Sequence, residues 1–306
     1  MIWDAVSGRE LGVVKFMHTH ARAAAFSADS QSLLASSDDG LFSTRLDTQG
    51  DGDQRRVSTG AMRRWTNVTN ELRSMALDPN RRAAALVHQH EVLVVPLEPG
   101  GATGLKTVPA GIHYRHLAVH PDWKWLAGMS GNSNSLDLWN LSDASGAYSR
   151  VEIPSSEYFA FSPDGKWFVT CHAGQYEFYR VGRWQEPVFP IHRKPASSQY
   201  APIAFSSRGD LVALAVSRDA VQLLRLVGDG QTPPKVIANL ESPDRSPLEM
   251  LKFSPDGRKL AAVTQSQTIQ LWNLSRLRES LAEMKLDDDW PQYPLQSGAA
   301  STSNLE

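Results

Sequence analysis

The histidines of this chain are the residues that could most readily form a metal site. His113, His116 and His120 lie close together in the sequence, and neutral imidazole is the commonest side-chain ligand for metals. His116 and His120 are four residues apart on a predicted strand, which separates their Cα atoms by about 13 Å. A zinc ion with metal–nitrogen bonds of about 2.0 Å cannot reach both side chains. We therefore predict no metal site and no cofactor.

Acidic and nucleophilic side chains are present, but not in the patterns that calcium binding or catalysis needs. Asp47, Asp51 and Asp53 form an acidic loop, yet Ser58 stands where a calcium loop carries its bidentate glutamate. The phosphate-binding loop, His-Glu-x-x-His and Gly-x-Ser-x-Gly motifs do not occur. The single cysteine, Cys171, follows an apolar run and is predicted to be a buried, unreactive thiol. These patterns predict that the chain is not an enzyme.

The composition is that of an ordinary folded protein without a strong charge bias. The 306 residues include 31 Lys and Arg and 33 Asp and Glu, which give a net charge of −2. This balance argues against a dedicated nucleic-acid or membrane-surface binder, because such proteins need clustered positive charge. One cysteine excludes an internal disulfide framework, and no apolar run is long enough to span a bilayer. We expect a cytoplasmic protein without membrane insertion, because Met1–Asp4 lacks the pattern of a secretory signal.

A local basic segment lies in the longest stretch between two repeats. Arg63 and Arg64 precede Trp65, and Arg55 and Arg56 stand shortly before them. Nucleic-acid recognition needs a wider distribution of positive charge than this. The segment is therefore predicted to form an exposed outer strand.

An internal repeat with a period of about 45 residues runs through the chain. A segment related to Phe-Ser-Pro-Asp-Gly occurs six times, and we call its first, apolar residue the anchor. The anchors are Phe26, Leu77, Val119, Phe161, Phe205 and Phe253. Alanine precedes the anchor in five of the six copies, and an apolar residue stands eight positions after it in every copy. Each copy predicts short strands joined by tight turns, and four such strands per copy are typical of a propeller blade.

The repeat resembles the WD40 family. The segments that carry the resemblance are Trp3-Asp4, Leu138-Trp139-Asn140-Leu141 and Leu271-Trp272-Asn273-Leu274, together with the Phe-Ser-Pro-Asp-Gly turns. The match covers residues 2–274, but the Gly-His dipeptide of the family is missing. The family's structural turn aspartate has a counterpart only at Asp39 and Asp219. The resemblance implies an all-β fold, a β-propeller of four-stranded antiparallel blades, over residues 1–274.

Six blades are the preferred prediction, and seven are the alternative. The sixth copy is followed by a helical pattern and therefore lacks an outer strand of its own. The segment Arg9–Phe16 has the position of an outer strand without a blade, so we predict that it pairs with the sixth blade and closes the ring. The chain starts in the middle of a repeat, which favours a fragment of a longer protein and leaves room for a seventh blade.

The C-terminal part departs from the repeat. Ser275 is a suitable N-cap, and Leu277, Leu281 and Met284 share one face of an amphipathic helix predicted within residues 275–290. Residues 291–306 are predicted to be a disordered tail. Residues 276–294 resemble the end of bacterial WD40 proteins whose propeller follows a serine/threonine kinase domain. The resemblance implies that the chain is the C-terminal part of a signalling protein, although kinase motifs do not occur in it.

Residues near the start of each innermost strand are the candidate binding residues. In the WD40 family, the positions four and five residues before the anchor lie at the top rim of the central channel, where partners dock. The matching candidates here are Arg22, Arg73, Arg115, Tyr114, Glu157, Tyr200 and Glu249. Arginine and tyrosine are favoured at binding hot spots, so a rim with arginines on one side and glutamates on the other predicts a polarised docking face. Alternatively, these charges pair with one another around the channel.

The preferred functional hypothesis is a non-catalytic scaffold or sensor that binds a protein or peptide of unknown identity, and not nucleic acid. The alternative is a propeller enzyme or small-ligand binder that uses the central channel. A third possibility is a truncated gene product without a role of its own.

Overall fold

The computed structural model of the chain divides into two compact units, Met1–Ile191 and His192–Glu306, called the N-terminal unit and the C-terminal unit below. The residues that it describes are 1–5, 7–15, 23–27, 29–37, 39–66, 72–77, 83–88, 91–97, 106–109, 114–130, 135–141, 148–154, 158–172, 174–194, 200–227, 232–287 and 289–290.

In the N-terminal unit, the described residues form a two-stranded sheet followed by four antiparallel four-stranded sheets. The two-stranded sheet consists of β1 (Ile2–Trp3) and β2 (Glu10–Gly12). Sheet 1 consists of β3 (Ala23–Phe26), β4 (Ser32–Ser37), β5 (Gly40–Gln49) and β6 (Arg56–Arg64), with a 3₁₀ turn at Gly52–Gln54. Sheet 2 consists of β7 (Leu72–Leu77), β8 (Ala83–His88), β9 (Glu91–Pro96) and β10 (Lys106–Pro109). Sheet 3 consists of β11 (Tyr114–Val119), β12 (Trp125–Ser130), β13 (Ser135–Asn140) and β14 (Tyr148–Pro154). Sheet 4 consists of β15 (Phe159–Phe161), β16 (Trp167–His172), β17 (Gln175–Arg180) and β18 (Phe189–His192).

The C-terminal unit contains two further antiparallel sheets and a helix. Sheet 5 consists of β19 (Ile203–Phe205), β20 (Leu211–Ala215), β21 (Ala220–Arg225) and β22 (Lys235–Glu241). Sheet 6 has three strands among the described residues, β23 (Leu248–Phe253), β24 (Lys259–Thr264) and β25 (Ile269–Asn273). The helix α1 (Leu274–Glu283) follows β25 directly. Among the residues described, no helix has the length and apolar character needed to cross a bilayer.

The repeat seen in the sequence corresponds to the strand register. Every anchor is the last residue of the first strand of its sheet. The residue before the anchor pairs across the ladder with the apolar residue that stands eight positions after the anchor. These pairs are Ala25–Leu34, Ala76–Ala85, Ala118–Ala127, Ala160–Val169, Ala204–Ala213 and Lys252–Ala261. The two sequence positions repeat together because they face each other in every sheet.

The Phe-Ser-Pro-Asp-Gly segments form one kind of tight turn. In Ser162–Gly165 and Ser254–Gly257, the serine hydroxyl donates to the aspartate Oδ1 at 2.6 and 2.5 Å. The N–H of the fourth residue donates to the serine carbonyl at 2.9 Å in both turns. That fourth residue is glycine with φ of 69° and 70°, a left-handed conformation that costs glycine little.

The cores consist of inward-facing residues of the central strands. In the C-terminal unit, Leu223, Leu251 and Leu260 are buried together with Trp290, which lies beyond the helix. In sheet 4 of the N-terminal unit, Cys171 is 3% exposed, which confirms the expected buried thiol. In the same sheet, the rings of Phe168 and Trp184 meet edge to face, with their centroids 5.8 Å apart.

The N-terminal segment adopts a different pairing from the one predicted. Strand β2 pairs with β1, because a turn at Asp4–Gly8 reverses the chain between them. Asp4 Oδ1 accepts the N–H of Ser7 at 2.8 Å, and Gly8 has a φ of 69°. The Arg9 guanidinium donates to the carbonyl oxygens of Gly52 and Arg55, both at 3.1 Å. The predicted closure by Arg9–Phe16 and the number of blades are therefore not confirmed, and residues 16–22 lie outside the described part.

Strand β25 is the last strand of sheet 6 in the described chain. Its one described partner is β24, and its side chains Ile269 and Leu271 are 64% and 42% exposed. Met250, on β23, is 59% exposed on the same sheet. The absence of a fourth strand after β25 in the described residues agrees with the helical pattern that follows it in the sequence.

The C-terminal helix is shorter than the predicted span. Asn273, and not Ser275, is its N-cap, since Asn273 Oδ1 accepts the N–H of Arg276 at 3.1 Å. The helix ends at Glu283, and Lys285 adopts a left-handed φ of 59°. Met284 is 60% exposed beyond the helix end. The predicted tail, residues 291–306, lies outside the described residues.

Candidate functional site

Two of the predicted arginines lie at corresponding places on neighbouring strands of the N-terminal unit. Arg73 is the second residue of β7, and Arg115 is the second residue of β11. These two strands lie side by side. Arg22 and Glu157, the other charged candidates of this unit, lie outside the described residues.

Tyr114 is buried rather than exposed at a rim. It is 1% exposed, and its hydroxyl donates to Oδ2 of Asp137, a carboxylate that is itself 3% exposed. The tyrosine ring meets the Trp139 ring edge to face at 5.0 Å. A Cβ on Gly128 would lie 2.8 Å from Trp139 and 2.9 Å from Tyr114, so this site requires glycine. Tyr114 therefore packs in the core of sheet 3 and is not accessible to a partner.

Tyr200 and Glu249 are both partly exposed in the C-terminal unit. Tyr200 precedes β19, Glu249 is the second residue of β23, and these two strands lie side by side. The Tyr200 carbonyl accepts a hydrogen bond from Arg193 Nη2 at 2.6 Å. The two predicted residues therefore belong to one end of adjacent innermost strands.

The loops at this end of the C-terminal unit form one surface, which we call the loop face. It comprises Arg193–Lys194, Tyr200, Ser217–Asp219, Ser242–Pro247 and Gln265–Thr268.

Backbone hydrogen bonds join the loops of the loop face. Lys194 N–H donates to the carbonyl of Val216 at 2.7 Å, and Ser242 N–H donates to that of Asp219 at 2.7 Å. Gln265 N–H donates to the carbonyl of Pro247 at 2.8 Å. These bonds connect the turns of sheets 5 and 6 and hold the loops in one arrangement.

Asp244 is the centre of the polar network on the loop face. Its Oδ1 accepts the Ser242 hydroxyl at 2.6 Å and the Ser246 N–H at 3.0 Å. Its Oδ2 accepts the hydroxyls of Ser266 at 3.0 Å and Thr268 at 3.2 Å. The hydrogen bond from Ser242, followed by that from the Ser246 backbone, holds the pKa of the Asp244 carboxyl well below its ordinary value.

This geometry does not suit acid–base catalysis by Asp244. A general base must accept a proton near the working pH, and a carboxylate with a strongly lowered pKa does so poorly. The hydroxyls of Ser242, Ser266 and Thr268 donate to the carboxylate and so use its lone pairs. The network can therefore fix the loops but is a poor activator of a nucleophile.

The exposed cations of the loop face are not engaged by its aspartates. Lys194, Arg218 and Arg245 are exposed, and the ion pairs described for the C-terminal unit involve other residues. Asp219 instead accepts the Ser217 hydroxyl at 3.1 Å. Hydroxyl groups thus occupy the aspartates, which leaves the three cations available to a partner.

A cavity lies beside the helix of the C-terminal unit. This cavity has a volume of about 300 Å³ and is lined by Arg258, Ser275, Arg278, Glu279, Ala282 and Asp287. Arg278 Nε lies 3.3 Å from Asp287 Oδ2, so this arginine is already engaged within the cavity. Among the described residues, no group of three or more His, Cys, Asp or Glu is placed to hold a metal ion.

Comparison with solved structures identifies the fold. The β-propeller domain of Cps50 (Swd1) from Myceliophteria thermophila superposes with a TM-score of 0.63 at 13% identity, covering 85% of this chain and 84% of that one. Hsv2 from Kluyveromyces lactis gives a TM-score of 0.61 at 12% identity, with 84% and 74% coverage. A functionally unknown protein from Desulfotomaculum acetoxidans gives 0.59 at 12% identity, with 85% and 84% coverage.

The chain has the β-propeller fold. This conclusion confirms the β-propeller fold predicted from the sequence. No family model matches the propeller chain, and no curated protein matches it either. At 12–13% identity the comparisons establish the fold of the propeller and not its function.

Sequence reasoning missed most of the loop face of the propeller. It selected Tyr200 and Glu249 from their distance to the anchors, but it passed over Arg218 and Arg245. One signal was available, since Ser242-Pro243-Asp244-Arg245 repeats the Ser-Pro-Asp-Gly turn with arginine in place of glycine. The turn lies ahead of β23 rather than after an anchor, so a search aligned on the anchors did not find it.

Proposed function

We propose that this propeller is a non-catalytic module that binds a protein or peptide partner on its loop face. The observation that carries the proposal is the Asp244 network, which joins two loops of the C-terminal unit, Ser242–Pro247 and Gln265–Thr268, through hydroxyl and backbone donors. A backbone hydrogen bond from Ser242 to Asp219 joins a third loop to them. The same loops leave Arg218, Arg245 and Gln267 exposed. A rigid backbone with exposed, long polar side chains suits binding, because little conformational freedom is lost when a partner docks.

The fold supports this proposal in a general way. Propellers present several loops at the same strand ends, and loops held by a rigid scaffold commonly carry binding residues. The fold does not by itself imply a function. The lowered pKa of Asp244 adds support, because the most prominent carboxylate of the loop face is unsuited to proton transfer.

The rim candidates from the sequence enter the proposal as further contacts. Tyr200 belongs to the loop face, and Glu249 follows the Ser242–Pro247 loop as the second residue of β23, so we propose that both contribute to binding. Arg73 and Arg115 occupy the corresponding strand positions in the N-terminal unit, and we propose that they contribute to binding there. Six blades, cytoplasmic location and membership of a bacterial kinase-related signalling protein stay predictions from the sequence.

A random-peptide display library selected on the immobilised full chain tests the proposal. We expect selected peptides to bind in solution and to protect the loop-face backbone, including Ser266 and Gln267, from hydrogen exchange. Peptides that bind the N-terminal unit should instead protect the backbone of β7 and β11, and the R73A/R115A variant should bind those peptides more weakly. The variant R208Q is the control, because Arg208 lies in an anchor turn and pairs with Asp210 at 2.6 Å. Failure to select any peptide, or protection confined to the outer strands, would contradict the proposal.

A further inference from the structure

Arg245 has a backbone conformation that disfavours arginine. Its φ is 52°, in the left-handed region where the Cβ of an L-residue crowds the following carbonyl oxygen. Glycine avoids this crowding and is the usual residue at such positions. An exposed arginine in this conformation therefore needs an explanation beyond the turn itself.

The same turn elsewhere in this chain shows which residue the backbone prefers. Ser242–Arg245 has the hydrogen bonds of Ser254–Gly257 and Ser162–Gly165. The N–H of the fourth residue donates to the serine carbonyl at 3.1, 2.9 and 2.9 Å, respectively. The next N–H donates to the aspartate Oδ1 at 3.0, 3.0 and 3.2 Å. The three turns share these three hydrogen bonds, and two of them carry glycine where the third carries arginine. The two glycine turns have one further bond, from the N–H five residues after the serine to its hydroxyl, which Pro247 cannot make.

Two other left-handed residues, at the fourth position of anchor turns, differ from Arg245 in their surroundings. Trp123, with φ of 57°, packs against a buried cluster of the N-terminal unit. Ser30, with φ of 58°, is a short polar residue after the Ser27–Asp29 hydrogen bond. Arg245 is exposed, and its guanidinium makes no hydrogen bond or ion pair with the residues that the structure describes. Packing and turn geometry thus leave its side chain unexplained.

Two more cations, Arg218 and Lys194, lie near the Arg245 turn. Arg218 is in a loop bonded to the loop of Arg245, and Lys194 is bonded to the strand end that precedes the Arg218 loop. Leu248 N–H donates to the carbonyl of Arg218 at 3.1 Å, which places Arg218 beside the end of the Ser242–Pro247 loop. Lys194 N–H donates to Val216, immediately before the Ser217–Asp219 turn. Like Arg245, both cations are exposed.

The acidic groups at this end leave these cations accessible. Asp219 and Asp244 accept hydroxyl groups, as described above. Glu241 is exposed and Glu249 is partly exposed, and neither takes part in the ion pairs described for the C-terminal unit.

We propose that Arg245, supported by Arg218 and Lys194, is the main binding residue of the loop face and binds a carboxylate of a partner peptide. The proposal rests on the proposed function, since it names the chemistry of the partner at the same surface. Arginine binds carboxylate through two parallel hydrogen bonds and is enriched at binding hot spots. A peptide fits better than a nucleic acid, because Glu241 and Glu249 lie at the same end and would repel a continuous phosphate backbone.

The display selection described above, followed by affinity measurements, tests this proposal. We expect the selected peptides to share an aspartate or glutamate at one position. A fluorescein-labelled selected peptide should bind the R245G variant at least tenfold more weakly than the unchanged chain. Replacing its shared acidic residue by the corresponding amide should cause a similar loss for the unchanged chain and a smaller one for R245G. Thermal melting should show that R245G is at least as stable, because glycine relieves the left-handed conformation.

The S30G variant is the matched control. It makes the same backbone change in an equivalent exposed turn, so its melting temperature should shift like that of R245G while peptide affinity stays unchanged. The proposed carboxylate binding by Arg245 would be overturned if the selected peptides shared no acidic residue, or if R245G bound them as tightly as the unchanged chain does. Either result would leave the proposed peptide binding intact. Tighter binding of a single-stranded oligonucleotide than of the peptides would also overturn it. A library that yields no binding peptide overturns the proposed function and this inference together.

Discussion

The Nε2 atom of His120 lies 3.0 Å from the carbonyl oxygen of Gly165, and this contact joins the anchor turns of sheets 3 and 4. His120 Nδ1 accepts the N–H of Asp122 at 3.2 Å, so the ring proton is on Nε2 and donates to Gly165. His120 is 3% exposed, and its ring meets Phe161 edge to face at 5.4 Å. In the C-terminal unit, the Ser207 hydroxyl donates to the Pro255 carbonyl at 2.7 Å and joins sheets 5 and 6 in the same way.

Replacing His120 by alanine should destabilise the N-terminal unit by about 1–3 kcal/mol, because it leaves a carbonyl without its donor and opens a buried site. Gly165→Ala should also destabilise, since its Cβ would lie 2.8 Å from His120 Nε2 at a φ of 69°. Urea unfolding of the two single variants and the double variant measures the coupling. We expect G165A to cost less when His120 is already alanine, and strictly additive effects would contradict the contact. The exposed His192 is the control site, where alanine should have little effect.

Trp290 should be essential to the stability of the C-terminal unit. It is 3% exposed in the core formed by sheets 5 and 6, and its neighbour Asp289 pairs with Lys235 and accepts from Arg225 at 3.1 Å. Truncating a buried tryptophan to alanine costs about 3–5 kcal/mol. Urea unfolding followed by circular dichroism should show this loss for W290A. Trp3, at 46% exposed, is the control, and an equal effect of W3A would argue against a special role for Trp290.

The stability of the C-terminal unit should depend on pH through Asp244. Hydrogen bonds from Ser242 and the Ser246 backbone lower the pKa of Asp244 in the folded chain. A carboxyl with a lowered folded pKa contributes stability above its unfolded pKa of about 3.9, and this contribution is lost as the pH falls toward the folded value. Urea midpoints at pH 7 and pH 3 should therefore differ less for D244N than for the unchanged chain. An equal difference for D244N and the unchanged chain would contradict this role of Asp244.

The outer edge of β25 provides a test of how sheet 6 is covered. Because Ile269 and Leu271 are exposed on a strand with one described partner, I269K/L271K should change the free energy of unfolding by less than about 1 kcal/mol. Lysine on an exposed edge also opposes aggregation, so solubility in ammonium sulfate should rise. L260K, at a fully buried position of β24, should instead unfold the unit. A large destabilisation by I269K/L271K would mean that another strand covers this edge.

The sequence predicted the sheets well because their determinants are local and repeated. The alanine before each anchor and the apolar residue eight positions later face each other across the ladder, so one spacing specifies strand, turn and register together. The four strands expected in each copy are present in sheets 3 and 5, where β14 and β22 are the outer strands. The buried Cys171 followed from the apolar run before it.

The pairing of the N-terminal segment and the site depend on contacts that no local pattern specifies. The hydrogen bonds from Ser7 and Gly8 to Asp4, and the binding of Arg9 to distant carbonyls, determine where β2 pairs. Tyr114 occupies a position assigned to the rim, but its contact with Asp137 belongs to a central strand 23 residues away. Arg245 is recognisable only after its turn is compared with glycine turns of the same bonding.

The burial of Cys171 makes the chain convenient for spectroscopy. It is the single cysteine among 306 residues, and a thiol that is 3% exposed reacts slowly with bulky reagents. A cysteine introduced at the exposed Gln267 could therefore be labelled with a fluorophore without first removing the native one. Emission from such a dye would report the arrival of a ligand directly.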